Sequence, residues 1–82
     1  MRKVKPQDIK VGQIYLQIIG FTKLYKKRIS KGNEDEIWGN YIKTDRPNCY
    51  PKGEHGFVRY DSGAEFYLLN EKEIGELFFE EI

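Results

Sequence analysis

The chain has 82 residues, carries 14 Lys/Arg against 13 Asp/Glu for a net charge of +1, and contains one cysteine. That length suits one domain rather than two, and a lone Cys49 excludes the intrachain disulfides that small secreted domains rely on. Twelve aromatic residues, spread from Tyr15 to Phe79, exclude the composition of a disordered chain, which is poor in aromatic and β-branched residues.

The N-terminal run Met1-Arg2-Lys3-Val4-Lys5-Pro6 has no apolar core of the signal-peptide kind. Pro6 to Gly12 reads as a turn feeding a strand, because Pro6 cannot donate to a ladder and Gly12 punctuates. From Gln13 to Ile19 the side chains alternate, with Ile14, Leu16 and Ile18 on one face and Tyr15, Gln17 and Ile19 on the other. A period of two predicts a strand, and apolar residues on both faces predict that it is covered on both sides. Gly20 is expected to bulge or bend the chain. Phe21 to Ile29 continues as a second, strongly basic extended segment. Ser30 to Asp35 is a polar turn around Gly32-Asn33, and Glu36 to Thr44 is the returning strand of a hairpin.

Asp45 to Gly56 holds two prolines and two glycines in twelve residues and is expected to be the longest loop. Phe57 to Tyr60 is a short strand, Asp61-Ser62-Gly63 a tight turn, and Ala64 to Leu69 the return strand. Asn70 and Glu73 have the spacing of a capping box, with Leu69 and Ile74 at the staple positions. Gly75 weakens a helix interior, and Glu80 and Glu81 would lie at the negative end of a helix dipole. The expectation is one helical turn at Glu71–Gly75 followed by a closing strand around Leu77–Glu81, with a continuous helix as the alternative.

The fold class expected is mainly β, about five short strands with one helical turn or short helix near the C-terminus, in a single domain over residues 1–82. This order of elements, opening on Ile9-Lys10-Val11-Gly12-Gln13-Ile14-Tyr15, resembles an SH3-like small β-barrel. The resemblance is one of fold and carries no activity with it; the acidic loop and paired aromatics of a proline-peptide-binding SH3 domain are not legible as a motif.

The longest uncharged apolar-rich stretch, Val11 to Thr22, is too short to span a bilayer and contains Gln13, Gln17 and Gly20. With the lone cysteine, this leads to the expectation of a cytoplasmic protein without a membrane partner. One alanine beside frequent Ile, Lys, Glu and Tyr reads as an A+T-rich coding sequence of the kind found in low-GC bacteria, their phages and mobile elements.

Charge is divided along the chain. Residues 1–31 hold nine Lys/Arg against one Asp, and residues 32–82 hold five against twelve Asp/Glu. The basic run from Lys23 to Lys31 interleaves an aromatic, and Lys23, Tyr25, Lys26, Lys27, Arg28 and Lys31 form a candidate nucleic-acid-binding set. Alternation puts Lys23, Tyr25 and Lys27 on one face and Lys26 and Arg28 on the other; lysines also protect an edge strand from pairing. The acidic C-terminal half offers a second candidate, a protein-binding surface of Glu76, Phe78, Phe79, Glu80 and Glu81 that would meet a basic groove.

Catalytic and metal chemistry find little support in these residues. Cys49 and His55, with Asp45 and Glu54 nearby, are too few for a structural zinc site. As a nucleophile–base pair, with Asp45 or Asp61 as orienter, they lack any marked oxyanion hole. Glu34, Asp35 and Glu36 fall in a turn, and Glu71, Glu73 and Glu76 on a polar face. Gly12, Gly20 and Gly32 follow no phosphate-loop spacing, so no cofactor is implied. The leading expectation is a non-catalytic protein-binding module, an inhibitor or regulator of a host protein. The alternatives are a nucleic-acid-binding barrel and a head-to-tail assembly of basic and acidic halves.

Overall fold

The two-faced alternation of Ile14 to Ile19 places this segment at the centre of the molecule. In a computed structural model, which describes residues 1–80 with Glu80 by its backbone alone, it is strand β2 (Ile14–Ile19). The other strands are β1 (Arg2–Val4), β3 (Thr22–Ile29), β4 (Glu36–Thr44), β5 (His55–Arg59) and β6 (Glu65–Leu68). A 3-10 turn spans Pro6–Asp8, and helix α1 spans Glu71–Glu80. All six strands form one antiparallel sheet in the order β1-β6-β2-β3-β4-β5.

Each face of β2 builds its own core. On one side Tyr15 packs with Ile9, Ile37 and Phe66, joined by Val4, Val58, Tyr60 and Ala64. Val4 belongs to β1 and Val58 to β5, the two edges of the sheet. A sheet whose opposite edges share one cluster must curl, so the architecture is barrel-like. On the other side Ile14 and Leu16 meet Ile42, Leu69 and Leu77, with Ile18, Tyr25, Tyr67 and Ile74 packed around them. Burying one such side chain contributes roughly 1.5–3 kcal/mol, so α1 is held chiefly by Leu77 and Ile74.

Three expectations change. β1 adds a sixth strand where about five are expected; its Val4 takes a place in the core while Arg2 and Lys3 stay exposed. Of the two expectations for Gly20, a bulge or a bend, the bend is what the chain adopts. Ile19 pairs with Thr22, so Gly20-Phe21 is a two-residue hairpin turn, and its glycine at φ +58° takes the first central position that a type II′ turn reserves for glycine. The Asp61–Gly63 turn does not join a hairpin, because β5 pairs with β4 whereas β6 crosses to lie between β1 and β2. Finally, the tail is one helix rather than a turn and a closing strand through Leu77. Asn70 Oδ1 accepts from the Glu73 N–H (2.9 Å) and Glu73 Oε1 accepts from the Asn70 N–H (3.1 Å). That box and the burial of Leu77 outweigh the cost of about 1 kcal/mol for Gly75. Glu81, at the end of the expected closing strand, lies outside the described residues.

The β3–β4 ladder is irregular at one point. Tyr25 pairs with Lys43 but Lys26 pairs with Tyr41, so Ile42 is an extra residue in β4. The bulge turns Ile42 into the helix-side core. Among the described residues no helix is long and apolar enough to cross a membrane.

Candidate binding surface on the β4–β5 edge

Pairing of β3 between β2 and β4 decides the fate of the basic run. Lys26 stands opposite Tyr15, on the inner face of the curled sheet, and is only 1% exposed. Its ammonium donates to Gln17 Oε1 (3.2 Å) and lies 5.9 Å and 5.7 Å from the ring centres of Tyr15 and Tyr41. Burial pushes its pKa down to about 8, and burial pushes the Tyr15 hydroxyl up. Gly39 makes room for both: a Cβ there would come within 2.6 Å of Tyr15 Oη and 2.9 Å of Lys26 Cβ. Arg28 also turns inward. It donates to the carbonyls of Pro6 and Ile9 and to Tyr60 Oη (2.9 Å), tying the 3-10 turn to the residue after β5.

Lys26 and Arg28 are therefore structural, and the expected positive ridge is divided. Lys23 and Lys27 are exposed and Tyr25 is half-buried against the helix-side core. Lys31 is exposed at the start of the β3–β4 turn. The alternation of Lys23, Tyr25 and Lys27 against Lys26 and Arg28 holds, but the sequence could not show which face was inside. The polar partners of the inner face, Gln17, Tyr15, Tyr60 and two backbone carbonyls, come from distant segments.

The outer face of β3, β4 and β5 carries two ordered rows. Lys27, Asn40 and His55 form one, and Ile29, Trp38 and Phe57 the next. Trp38 is the anchor of this face. Its ring stacks on Phe57 at 4.7 Å between centres and 24° between planes, and contacts His55 at 5.8 Å. Lys31 Nζ sits 4.8 Å above the indole and 2.9 Å from His55 Nε2. The indole N–H donates to Glu36 Oε2 at 2.9 Å, which holds the Glu36 carboxyl below its ordinary range. Gly32 lies so close to the indole that a Cβ would meet it at 1.8 Å. Trp38 is thus fixed in place, while Phe57 beside it remains 48% exposed.

Beyond this aromatic row the charges alternate in sign. Arg59 pairs with Asp35 (2.7 Å) and Asp61 (3.3 Å), and Glu36 faces Arg59 across the β4–β5 pair. β5 is an edge strand. Tyr60 donates its N–H to the Asp35 carbonyl, and Tyr41 donates to the Glu54 carbonyl. The even-numbered residues of β5 thus point their backbone groups at β4. In an antiparallel ladder the intervening residues point the other way, so the N–H and C=O of His55, Phe57 and Arg59 face outward from the sheet. Sequence reading places His55 in a loop and begins the strand at Phe57. The usable signal was the common period of two in Trp38-Gly39-Asn40 and His55-Gly56-Phe57, which becomes a cluster only once the register is known.

The other sequence candidates are scattered. On α1, Glu76 is exposed, Phe78 is 45% and Phe79 78% exposed, and neither ring has an aromatic neighbour among the described residues. The side chain of Glu80 and all of Glu81 lie outside the described residues. Cys49 is exposed in the long loop, and His55 is engaged with Lys31 and Trp38. No group of three His, Cys, Asp or Glu side chains is placed to hold a metal ion among the described residues. Comparison with family models, with curated proteins and with solved structures finds no match.

Proposed function

We propose that this chain is a non-catalytic protein-binding module of SH3-like architecture, docking its partner through the outer face of β4 and β5. The observation that carries the reading is Phe57, half-exposed on an edge strand and immobilised against Trp38. A fixed, solvent-facing aromatic loses little side-chain entropy on binding and is a typical interface anchor. The surrounding rim has both signs of charge, with Lys27, Lys31 and Arg59 beside Asp35, Glu36 and Asp61. A mixed rim around an aromatic centre suits a protein surface. Nucleic-acid binding would call for a single basic stripe, and the inward turn of Lys26 and Arg28 leaves that stripe short. The C-terminal candidates Phe78 and Phe79 are exposed and join neither core cluster among the described residues.

Capture from cell lysate with tagged protein tests this reading through variants. A stoichiometric, nuclease-resistant partner is expected to be lost with Phe57→Ser and retained with Phe79→Ser, both variants folding as judged by circular dichroism. Retention with Phe57→Ser, or loss with Phe79→Ser alone, would move the interface to α1. Recovery of nucleic acid in a Lys23- and Lys27-dependent manner would replace the reading with the basic alternative.

A further inference from the structure

From the geometry of β5 we infer that the partner contributes an extended strand, added antiparallel to β5, with a basic, an apolar and an acidic residue at alternate positions from N- to C-terminus. The inference rests on the protein-binding reading above and specifies what that surface accepts.

The edge supplies the backbone half of the recognition. Outward N–H and C=O groups of His55, Phe57 and Arg59 recur at every second residue, the spacing that a docking strand needs. No backbone hydrogen bond joins β5 to β1 among the described residues. The side chains of the same three residues lie on the outer face, so a bonded strand sets its own alternate side chains beside them.

Charge then fixes the order. Beside His55 stands the Lys31 ammonium, 2.9 Å from the imidazole, with Lys27 in the same row across Asn40. An acidic residue is favoured there. Phe57 and Trp38 occupy the centre and favour an aromatic or branched apolar residue. At the far end Arg59 is shared between Asp35 and Asp61, with Glu36 across the ladder. Three carboxylates around one guanidinium leave net negative charge, and a Lys or Arg is favoured. The antiparallel direction follows the rest of the sheet and is the commoner pairing. A second copy of β5 fits badly, since centring on Phe57 would set Arg59 of one copy beside His55 and Lys31 of the other.

The test uses the whole chain and the acetylated heptapeptide Thr-Lys-Thr-Phe-Thr-Glu-Thr. Trp38 is the only tryptophan, so its fluorescence reports occupancy directly, and amide chemical shifts report the edge. Saturable binding is expected, with the amide signals of His55, Phe57 and Arg59 shifting most. N-methylating the peptide phenylalanine removes the bond to the Phe57 carbonyl and is expected to weaken binding about tenfold. Exchanging the peptide's Lys and Glu is expected to weaken it roughly fivefold. In the protein, His55→Pro deletes an outward donor without touching the β4 ladder and should weaken binding, while His55→Ala should do so much less.

No binding at millimolar peptide, or equal binding of the N-methylated form, overturns strand addition. Dimerisation of the chain that His55→Pro abolishes would put a second copy on the edge and also overturns it. The variants separate strand addition from the protein-binding reading beneath it. If lysate capture is lost with Phe57→Ser but unaffected by His55→Pro, the face binds protein without accepting a strand.

Discussion

Lys26 is a buried cation whose hydrogen-bond partner is a neutral amide, and replacing it should make the protein more stable. Burial lowers its pKa from 10.5 to about 8. Each pKa unit corresponds to about 1.4 kcal/mol, so at pH 7 the folded state carries a penalty of roughly 3 kcal/mol relative to the solvated side chain. The sign follows from proton counting. Between pH 8 and 10.5 the unfolded chain holds its Lys26 proton more tightly than the folded one, so stability rises with pH across that window and the penalty is complete below it. Lys26→Met keeps the apolar stem as far as the ε position and gives up the ammonium, with its place beside the Tyr15 and Tyr41 rings. It loses the bond to Gln17 Oε1, which costs about 1 kcal/mol. The expected outcome is a variant about 2 kcal/mol more stable than the wild type at pH 7, with that advantage shrinking by roughly 2 kcal/mol at about pH 9.5. Urea denaturation followed by Trp38 fluorescence at both pH values measures it. A gap that does not change with pH would refute the reasoning, because it would mean that Lys26 is not a buried charge in the folded state.

Gly39→Ala drives a methyl into Tyr15 Oη and Lys26 Cβ at 2.6 and 2.9 Å, and overpacking of this kind costs roughly 1–3 kcal/mol; a midpoint of urea denaturation unchanged from wild type would count against the inner-face packing. Gly32→Ala combines a φ of +86° with a Cβ 1.8 Å from the indole nitrogen, so Trp38 must move, and its emission should shift to the red while the β signature in circular dichroism persists. Asn70→Ala removes the helix cap and should lower stability by about 1 kcal/mol, read as an earlier thermal midpoint.

Much of the strand pattern was legible because it is local. The two-faced segment ending at Ile19 is written in a period of two, Glu36–Thr44 in its place after the Gly32-Asn33 turn, and the capping box of Asn70 and Glu73 in a spacing of three. The misses share one cause, which is that tertiary partners decide. Arg2–Val4 becomes a strand only because β6 offers it an edge, and Gly75 stays in a helix only because Leu77 is buried beneath it. The binding surface was hidden for the same reason. Lys26 and Lys27 are adjacent and chemically alike, yet one is interior and the other exposed, and only the register against Tyr15 and Ile14 separates them. His55, conspicuous as the sole histidine, attracts metal and catalytic readings; it stands across the ladder from Asn40, and its ring meets an indole and an ammonium group.

The strand order has a consequence for how the chain is made. Strands β2 to β5 are joined in sequence and can zip as successive hairpins while the polypeptide is still being synthesised. β6 cannot join them until Glu65–Leu68 has emerged, and it must then enter between β1 and β2. Until that moment the Tyr15–Ile18 edge of β2, the most apolar in the sheet, has no partner on one side. The nascent protein therefore passes through a stage in which its future centre is an open edge, the arrangement most prone to pairing with another chain. A chain ended before Glu65 holds that stage permanently and is expected to aggregate, whereas one that retains β6 closes the edge with its own backbone.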